Sequence, residues 1–508
     1  MTSRERVRTA INHRQPDRVP LDLGSTLVTG IQVSAYARLK TALGITGGLN
    51  RVYDPFQMLG QVEPAVREAL GVDTVGIELP TTIFGYPNEN WKSFRMFDGT
   101  DVEISGHCAF DVLPNGDIVQ YPKGDRTAPP SGRMPKGGFY FDTIVRQEPI
   151  DESKLSPKEW VEQTYSLYTE EELRFLEESS KHWYESSTYS LVGNFWGGGF
   201  GDIVQYPKGD RSARPSGRMP QGGYYFDSIV RQEPIDESKL DAAEWVAQTY
   251  SLYTEEELRF IEETSKFWYE GSEYGLLGNF WGAGFGDIAT VPGPAVLDPK
   301  GIRDPEEWYV STLTRKDYVK EIFRLQLELQ MKNLERYRQA VGDRIDVVVM
   351  SGTDFGSQNG PFLSPAAYRE IFKPLHKTMN DWVHAHTSWK TFYHTCGSIV
   401  AFLDDFAEAG IDILNPVQIS AAGMAPDFLK GSYGETFVFW GGAIDAQHTL
   451  AFGSPQQVRE EAERNLTVLG KGGGFIFNNV HNIQATVPTE NMVALFETVR
   501  DKGGYSKG

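Results

Sequence analysis

The sequence predicts an α/β fold, a (β/α)8 barrel of parallel strands, on three observations. Apolar strand-like runs alternate with helical segments along most of the chain, the pattern of parallel α/β architecture. Eight such runs can be picked out, the number a closed barrel needs. Polar residues also collect just after those runs, on the rim where barrels of this kind keep their active sites. A chain of 508 residues is long for one domain, but α/β barrels tolerate such length, so a single barrel is expected over 1–508.

The eight strand candidates, in order, are Arg18 to Leu23, Thr74 to Leu79, Leu276 to Trp281, Asp346 to Ser351, Lys390 to His394, Ile411 to Asn415, Phe437 to Gly442 and Gly474 to Asn478. Helix starts between the later strands are well marked. Asp304-Pro305-Glu306-Glu307 places a cap and a proline at a first turn, and Ser364-Pro365 does the same. Ser454-Pro455-Gln456-Gln457 has the form of a capping box. Phe372 to His386 and Val400 to Ala409 carry apolar residues three and four apart, so each should bury one face.

A block is written twice. Residues 116–200 return as 201–285: Gly116 to Arg126 matches Gly201 to Arg211 residue for residue, and Tyr165 to Glu172 matches Tyr250 to Glu257. Across 116–203 and its counterpart, roughly 70 of 88 positions are identical, on surface and core positions alike. Solenoid repeats are shorter and need about three copies, so this is a tandem duplication. Each copy has a Gly-Gly-aromatic run (Gly137 to Phe141, Gly222 to Phe226), a helix opened by Thr169 or Thr254, and a closing apolar run (Leu191 to Trp196, Leu276 to Trp281). One copy is expected to supply a barrel strand, with the second copy favoured, and the other to form an accessory lobe. The block could also serve homo-oligomer formation, for which its spacing gives no support.

Composition narrows the partners. A net charge of −20 argues against a nucleic-acid backbone. Two cysteines cannot build a disulfide framework, which fits a reducing compartment. The N-terminal residues lack an apolar signal core and no apolar run reaches about 18 residues. The expectation is a cytoplasmic protein with no membrane partner.

The most informative stretch is His394-Thr395-Cys396-Gly397, which follows the apolar run 389–393. A His-x-Cys pair leaving a strand can point imidazole and thiolate into one mouth, and zinc prefers nitrogen and sulfur. A plain alternative is a buried cysteine beside a hydrogen-bonded histidine. Other polar residues expected on the same rim are Asp22, Asn279, Asp354, Asn415, Gln418, Asp445, Gln447, His448, His481, Asn482 and Gln484.

Several motifs together resemble the uroporphyrinogen decarboxylase superfamily, in particular its cobalamin-linked methyltransferase branch. They are Thr2 to Arg8 with Pro16 to Pro20, His394 to Gly397, Ile411 to Gln418, Phe439 to Gly442 and Val487 to Asn491. The resemblance implies a (β/α)8 barrel of the uroporphyrinogen decarboxylase type. It also implies zinc held by the His-x-Cys pair and a later cysteine, and a methyl group exchanged with a corrinoid. Here that later cysteine position is His481, so the implied ligand set is His394, Cys396 and His481. One thiolate and two neutral imidazoles leave a Zn²⁺ site near +1, a stronger Lewis acid than a two-thiolate site. The loop after the first strand, Val19 to Gly24, lacks the arginines of the true decarboxylase, which disfavours a porphyrinogen substrate. An Asp-x-His-x-x-Gly cobalamin signature is also missing, so the corrinoid would arrive on a separate protein.

The expected activity is thus methyl transfer between a corrinoid and a small-molecule heteroatom, whether methoxy, amine or thiol. Asp354 is the candidate proton-handling or ligand-orienting carboxylate, with an Asx turn as the plain alternative. Asp22, Asn415, Gln418, Asp445, Asn482 and Gln484 would line the pocket or orient the ligands. The rival expectations are a metal-independent decarboxylase or lyase using Asp22 or Asp354, a zinc hydrolase, and a non-catalytic binding barrel.

Overall fold

The computed structural model describes residues 1–77, 86–121, 124–127, 132–143 and 304–504, with 190–193, 276–280, 282–288 and a few single or paired residues elsewhere. The helix expected from Thr169 lies outside the described residues, and of the one expected from Thr254 the residues described, Leu258, Arg259, Glu262 and Lys266, are helical.

In chain order the strands are β1 (Val52–Asp54), β2 (Leu59–Gly60), β3 (Thr74–Ile77), β4 (Lys92–Arg95), β5 (Asp101–Ile104), β6 (Phe110–Val112), β7 (Ile118–Gln120), β8 (Gly132–Met134) and β9 (Asp142–Thr143). They continue with β10 (Ser190–Gly193), β11 (Gly217–Arg218), β12 (Asp227–Ser228), β13 (Leu276–Asn279), β14 (Val347–Ser351), β15 (Lys390–His394), β16 (Ile413–Asn415), β17 (Val438–Trp440) and β18 (Phe475–Ile476). An eight-stranded sheet runs β18-β17-β16-β15-β14-β13-β10-β3, and every pair in it is parallel. The fold is mixed α/β around a parallel sheet.

Alternation along the strands buries both sheet faces, as parallel sheets require. Val347, Val349, Phe392, Ile413, Val438, Trp440 and Ile476 form one cluster with Val7, Ala10 and Ile11 of the helix Ser3–Ile11. The intervening residues Val348, Met350, Tyr393, Leu414 and Phe439 join the larger core. That N-terminal helix starts on a capping box between Thr2 and Glu5, and the 454–457 capping box is also formed. Asp304 and Ser364 cap their helices through the N–H groups of Glu307 and Ala367.

The sequence reading needs three corrections. Residues 18–23 form isolated bridges and not a strand. Phe477 N–H donates to the Pro20 carbonyl (2.8 Å) and Asp22 N–H to the Phe477 carbonyl (3.0 Å), while Asp73 N–H donates to Leu21 (2.8 Å). This short segment therefore bonds beside β18 and, through Asp73, beside β3. Second, both repeat copies place the start of their apolar run in the sheet: β10 and β13 lie side by side, with Leu191 opposite Leu276. Near-identical runs have the same preference for a buried parallel neighbour, so neither copy's strand is left outside.

Third, residues 92–143 form antiparallel ladders β4-β5 and β6-β7-β8-β9 that the barrel reading did not anticipate. This lobe has its own core, including Tyr86, Met96, Cys108, Met134 and Phe141. Its strands are only two to four residues long, too short to stand out by alternation in a Gly- and Pro-rich stretch. Pairing of β11 with β12 (Gly217↔Ser228) repeats that of β8 with β9 (Gly132↔Thr143) at the 85-residue offset of the duplication.

Candidate metal centre

His394 is the last residue of β15 and shares the alternation of buried Phe392; Asn415 ends β16 in the same way and pairs with it. The two side chains therefore emerge together at the C-terminal edge of the sheet. Cys396 follows two residues later, and His481 comes from the loop after β18. Among the described residues, His394, Cys396 and His481 are the group able to hold a metal ion, with ligand atoms all within 4.8 Å of one another.

Hydrogen bonds set the His394 tautomer. Asn415 Nδ2 donates to the Trp440 carbonyl (2.8 Å), which turns its Oδ1 toward His394 Nδ1 (2.6 Å). Nδ1 must then carry the proton, and Nε2 presents a lone pair toward Cys396 Sγ at 3.5 Å. Tetrahedral zinc, with bonds of about 2.0 Å to nitrogen and 2.3 Å to sulfur, has an N···S edge of about 3.5 Å. These two ligands fit the ion as they stand.

His481 fits less well. Its Nδ1 accepts the N–H of Asn482 (2.8 Å), so a neutral ring carries its proton on Nε2. Ligation through Nε2 would require that proton on Nδ1 and the Asn482 contact given up. The residue also holds φ 62, a costly backbone region for a side chain with a Cβ. Its ring centre is 5.2 Å from that of His394.

The loop that carries Cys396 is pinned at successive residues. Thr395 N–H donates to the Asn415 carbonyl (2.8 Å), Cys396 N–H to Asp354 Oδ1 (2.6 Å) and Gly397 N–H to Gln418 Oε1 (2.7 Å). Gln418 Nε2 is itself anchored on Gln358 Oε1 (2.6 Å). Gly397 stands at φ 81, and a Cβ there would meet the Gly356 carbonyl at 2.1 Å, so only glycine lets the loops after β14 and β15 pass this closely.

Burial dominates the electrostatics. It pulls the His481 imidazole down to about 3, with His394 adding to the shift. It lowers His394 too, opposed by the Asp354 carboxylate and by Asn415. The Cys396 thiol is pushed well above its usual range by burial first, then by the carboxylates of Asp354 and Asp287. Burial raises Asp354, opposed by His394 and the Cys396 N–H. Without a metal the donors favour neutral forms. A divalent cation is the species that would favour the thiolate in such surroundings.

The remaining expected site residues divide into two groups. Asn415, Gln418 and Asp354 touch the ligands or the Cys396 loop. Asn482 is a buried staple: Oδ1 accepts from Gly30 N–H (2.5 Å), and Nδ2 donates to Leu27 and Gln57 (both 2.7 Å). Gln484 Nε2 donates to the Asn482 carbonyl (2.9 Å). Asp22 is buried, with its oxygens on Thr74 Oγ1 (2.6 Å), Ser25 N–H (3.3 Å) and Trp440 Nε1 (3.0 Å), and burial raises it. Asp445 accepts the N–H groups of Gln447 and His448 and meets His448 Nδ1 at 2.8 Å, a turn-forming role beside the helix Thr449–Phe452.

Sequence reasoning missed Asp287, Trp440 and Gln358 at this site. Asp287 ends Gly284-Phe285-Gly286-Asp287, four residues repeated as Gly199 to Asp202, and placement just past β13 was the one signal for it. Among the described residues, no helix is long and apolar enough to cross a membrane.

Comparison with known proteins bears on the same region. Among curated proteins no sequence matches. A solved methyltransferase from Methanosarcina mazei is similar at 19% identity over 48% of this chain, with a TM-score of 0.34. The match covers 64% of that structure, so this chain spans less than two thirds of its length. The profile of the uroporphyrinogen decarboxylase (URO-D) family matches residues 299–502, a span that contains His394, Cys396 and His481. Residues 299–502 are thus a URO-D family domain.

Proposed function

We propose that this chain is a zinc-dependent methyltransferase that moves a methyl group between a small-molecule heteroatom and a corrinoid carried on a separate protein. The observation that carries this reading is the convergence of His394, Cys396 and His481 from two distant loops within 4.8 Å, inside the URO-D domain. The bonds of residues 20–22 beside both β18 and β3 support a closed (β/α)8-type barrel around that cluster. The methyltransferase branch, the zinc and the corrinoid partner all rest on the His-x-Cys motif and its company of motifs.

Zinc held by these residues would supply Lewis acidity to a substrate heteroatom at its open position. The protein's part is positional. Asn415 fixes the His394 tautomer so that Nε2 is the donor. Asp354 and Gln418 hold the backbone of Cys396 and Gly397, and so fix the direction of Sγ. Asp354, whose carboxyl is raised by burial, is the group able to hold a proton beside the thiol.

A second reading, a metal-independent decarboxylase or lyase, draws on the family description and on buried Asp22 and half-buried Asp354, whose carboxyls are both raised. Two assays separate them. Protein purified without added metal should carry one zinc per chain and lose it in Cys396→Ala. It should also demethylate a methoxylated donor only when cob(I)alamin is supplied. Metal-free protein that decarboxylates a substrate would replace the first reading with the second.

A further inference from the structure

The aromatic run Gly137 to Phe141 belongs to the duplicated block, yet the structure brings one of its residues to the rim. We propose that Tyr140 is a positioning residue for the loop that carries His481, acting as a latch from the antiparallel lobe. This inference rests on the metal reading only for its second arm.

The Tyr140 hydroxyl donates to Gln484 Oε1 (2.8 Å) and accepts the N–H of Ala485 (3.0 Å). Gln484 passes the restraint on, because its Nε2 donates to the carbonyl of Asn482, the neighbour of His481. The Arg38 guanidinium donates to the carbonyls of Ala485 (2.7 Å) and Val487 (3.0 Å) in the same segment. The segment after His481 is thus held both by a helix of the main fold and by one hydroxyl of the lobe.

The lobe is a firm base for this latch. Phe141 is fully buried in the lobe core, and its N–H donates to the Phe56 carbonyl (3.0 Å). The Phe139 carbonyl accepts from Gln32 Nε2 (3.4 Å). Tyr140 is therefore held by both neighbours while its hydroxyl reaches out. A latch is needed because His481 sits in left-handed backbone at φ 62, a conformation that persists only where its surroundings over-determine it. Groups that orient a metal ligand from behind change affinity by about 10- to 100-fold when removed.

The test is Tyr140→Phe, which keeps the ring and removes only the hydroxyl. In metal-free protein, amide hydrogen exchange over 481–487 should rise about 10-fold, with Ala485 most affected, while 101–112 in the lobe stays as in the wild type. Co²⁺ or Zn²⁺ affinity should fall about 10-fold, with a changed Co²⁺ visible spectrum. Unchanged exchange over 481–487 overturns the latch. Raised exchange with wild-type metal affinity overturns its positioning role. Raised exchange in a protein whose wild type binds neither ion keeps the latch and removes the zinc reading instead.

Discussion

His394 is a buried imidazole and His481 a half-buried one, and their hydrogen bonds assign them opposite tautomers. Asn415 places the His394 proton on Nδ1 and frees Nε2, whereas Asn482 N–H occupies His481 Nδ1. The two should contribute unequally to metal binding. Cys396→Ala and His394→Ala are expected to abolish stoichiometric zinc, while His481→Ala keeps a weaker site, about 10-fold or more down in affinity, as read by competition with a chromophoric chelator. Equal losses in all three variants would show that the ring of His481 is already set to ligate.

Asp54 offers a separate check away from the ligands. Burial pushes its carboxyl up to about 6, although the N–H groups of Phe56 and Gln57 oppose the shift. A raised folded pKa means that the native state holds a proton the unfolded chain has lost between about pH 4 and 6. Its contribution is therefore fully present below about 4 and lost as pH rises through 6. Asp54→Asn removes the titration and keeps an acceptor for one of the two N–H groups, since Phe56 donates to Oδ1 and Gln57 to Oδ2; the pH-independent cost of the lost bond drops out of the pH dependence. The stability of the variant relative to the wild type should rise by about 2 kcal/mol between pH 4 and 7.5 in urea unfolding, and a flat difference would remove the shift.

At the scale of elements, the loops after β14 and β15 carry Asp354 and Cys396 and pass each other through Gly356 and Gly397. A Cβ on Gly356 would lie 2.5 Å from the Ser398 carbonyl, and one on Gly397 would strain φ 81 as well as clash. Gly397→Ala should cost about 2 kcal/mol or more in stability and lower zinc content together. Wild-type stability with full zinc would show that these loops need no close passage.

Much of this level was legible in the sequence. Strand 390–394 falls where its apolar run ends in the first polar ligand, and the caps at Asp304, Ser364 and Ser454 follow from local side-chain chemistry. The lobe of 92–143 was not legible, because short strands gain their register from neighbours and not from their own pattern. Tyr140 was invisible for the same reason: its partner Gln484 lies 344 residues away. The opposite tautomers of the two histidines depend on Asn415 and Asn482, whose amide directions no spacing encodes.

At the scale of the whole molecule, the duplication puts two near-copies of one strand beside each other. Leu191 pairs with both Val75 and Leu276, so a single strand could bridge β3 and β14 in the same register. Removing residues 201–285 joins Phe200 to Gly286, which repeats an existing local sequence and keeps Tyr140. The shortened chain should fold cooperatively and bind zinc as the full chain does, as read by thermal unfolding and metal analysis. An unfolded or zinc-free product would mean that both copies are needed to build the sheet.

Zinc-edge X-ray absorption on protein purified without added metal reaches the centre of the proposal most directly. One zinc per chain with a single sulfur and two imidazole nitrogens among its ligands is the predicted spectrum, and the sulfur should vanish in Cys396→Ser. Protein without bound metal, or zinc surrounded only by oxygen and nitrogen in the wild type, would contradict it.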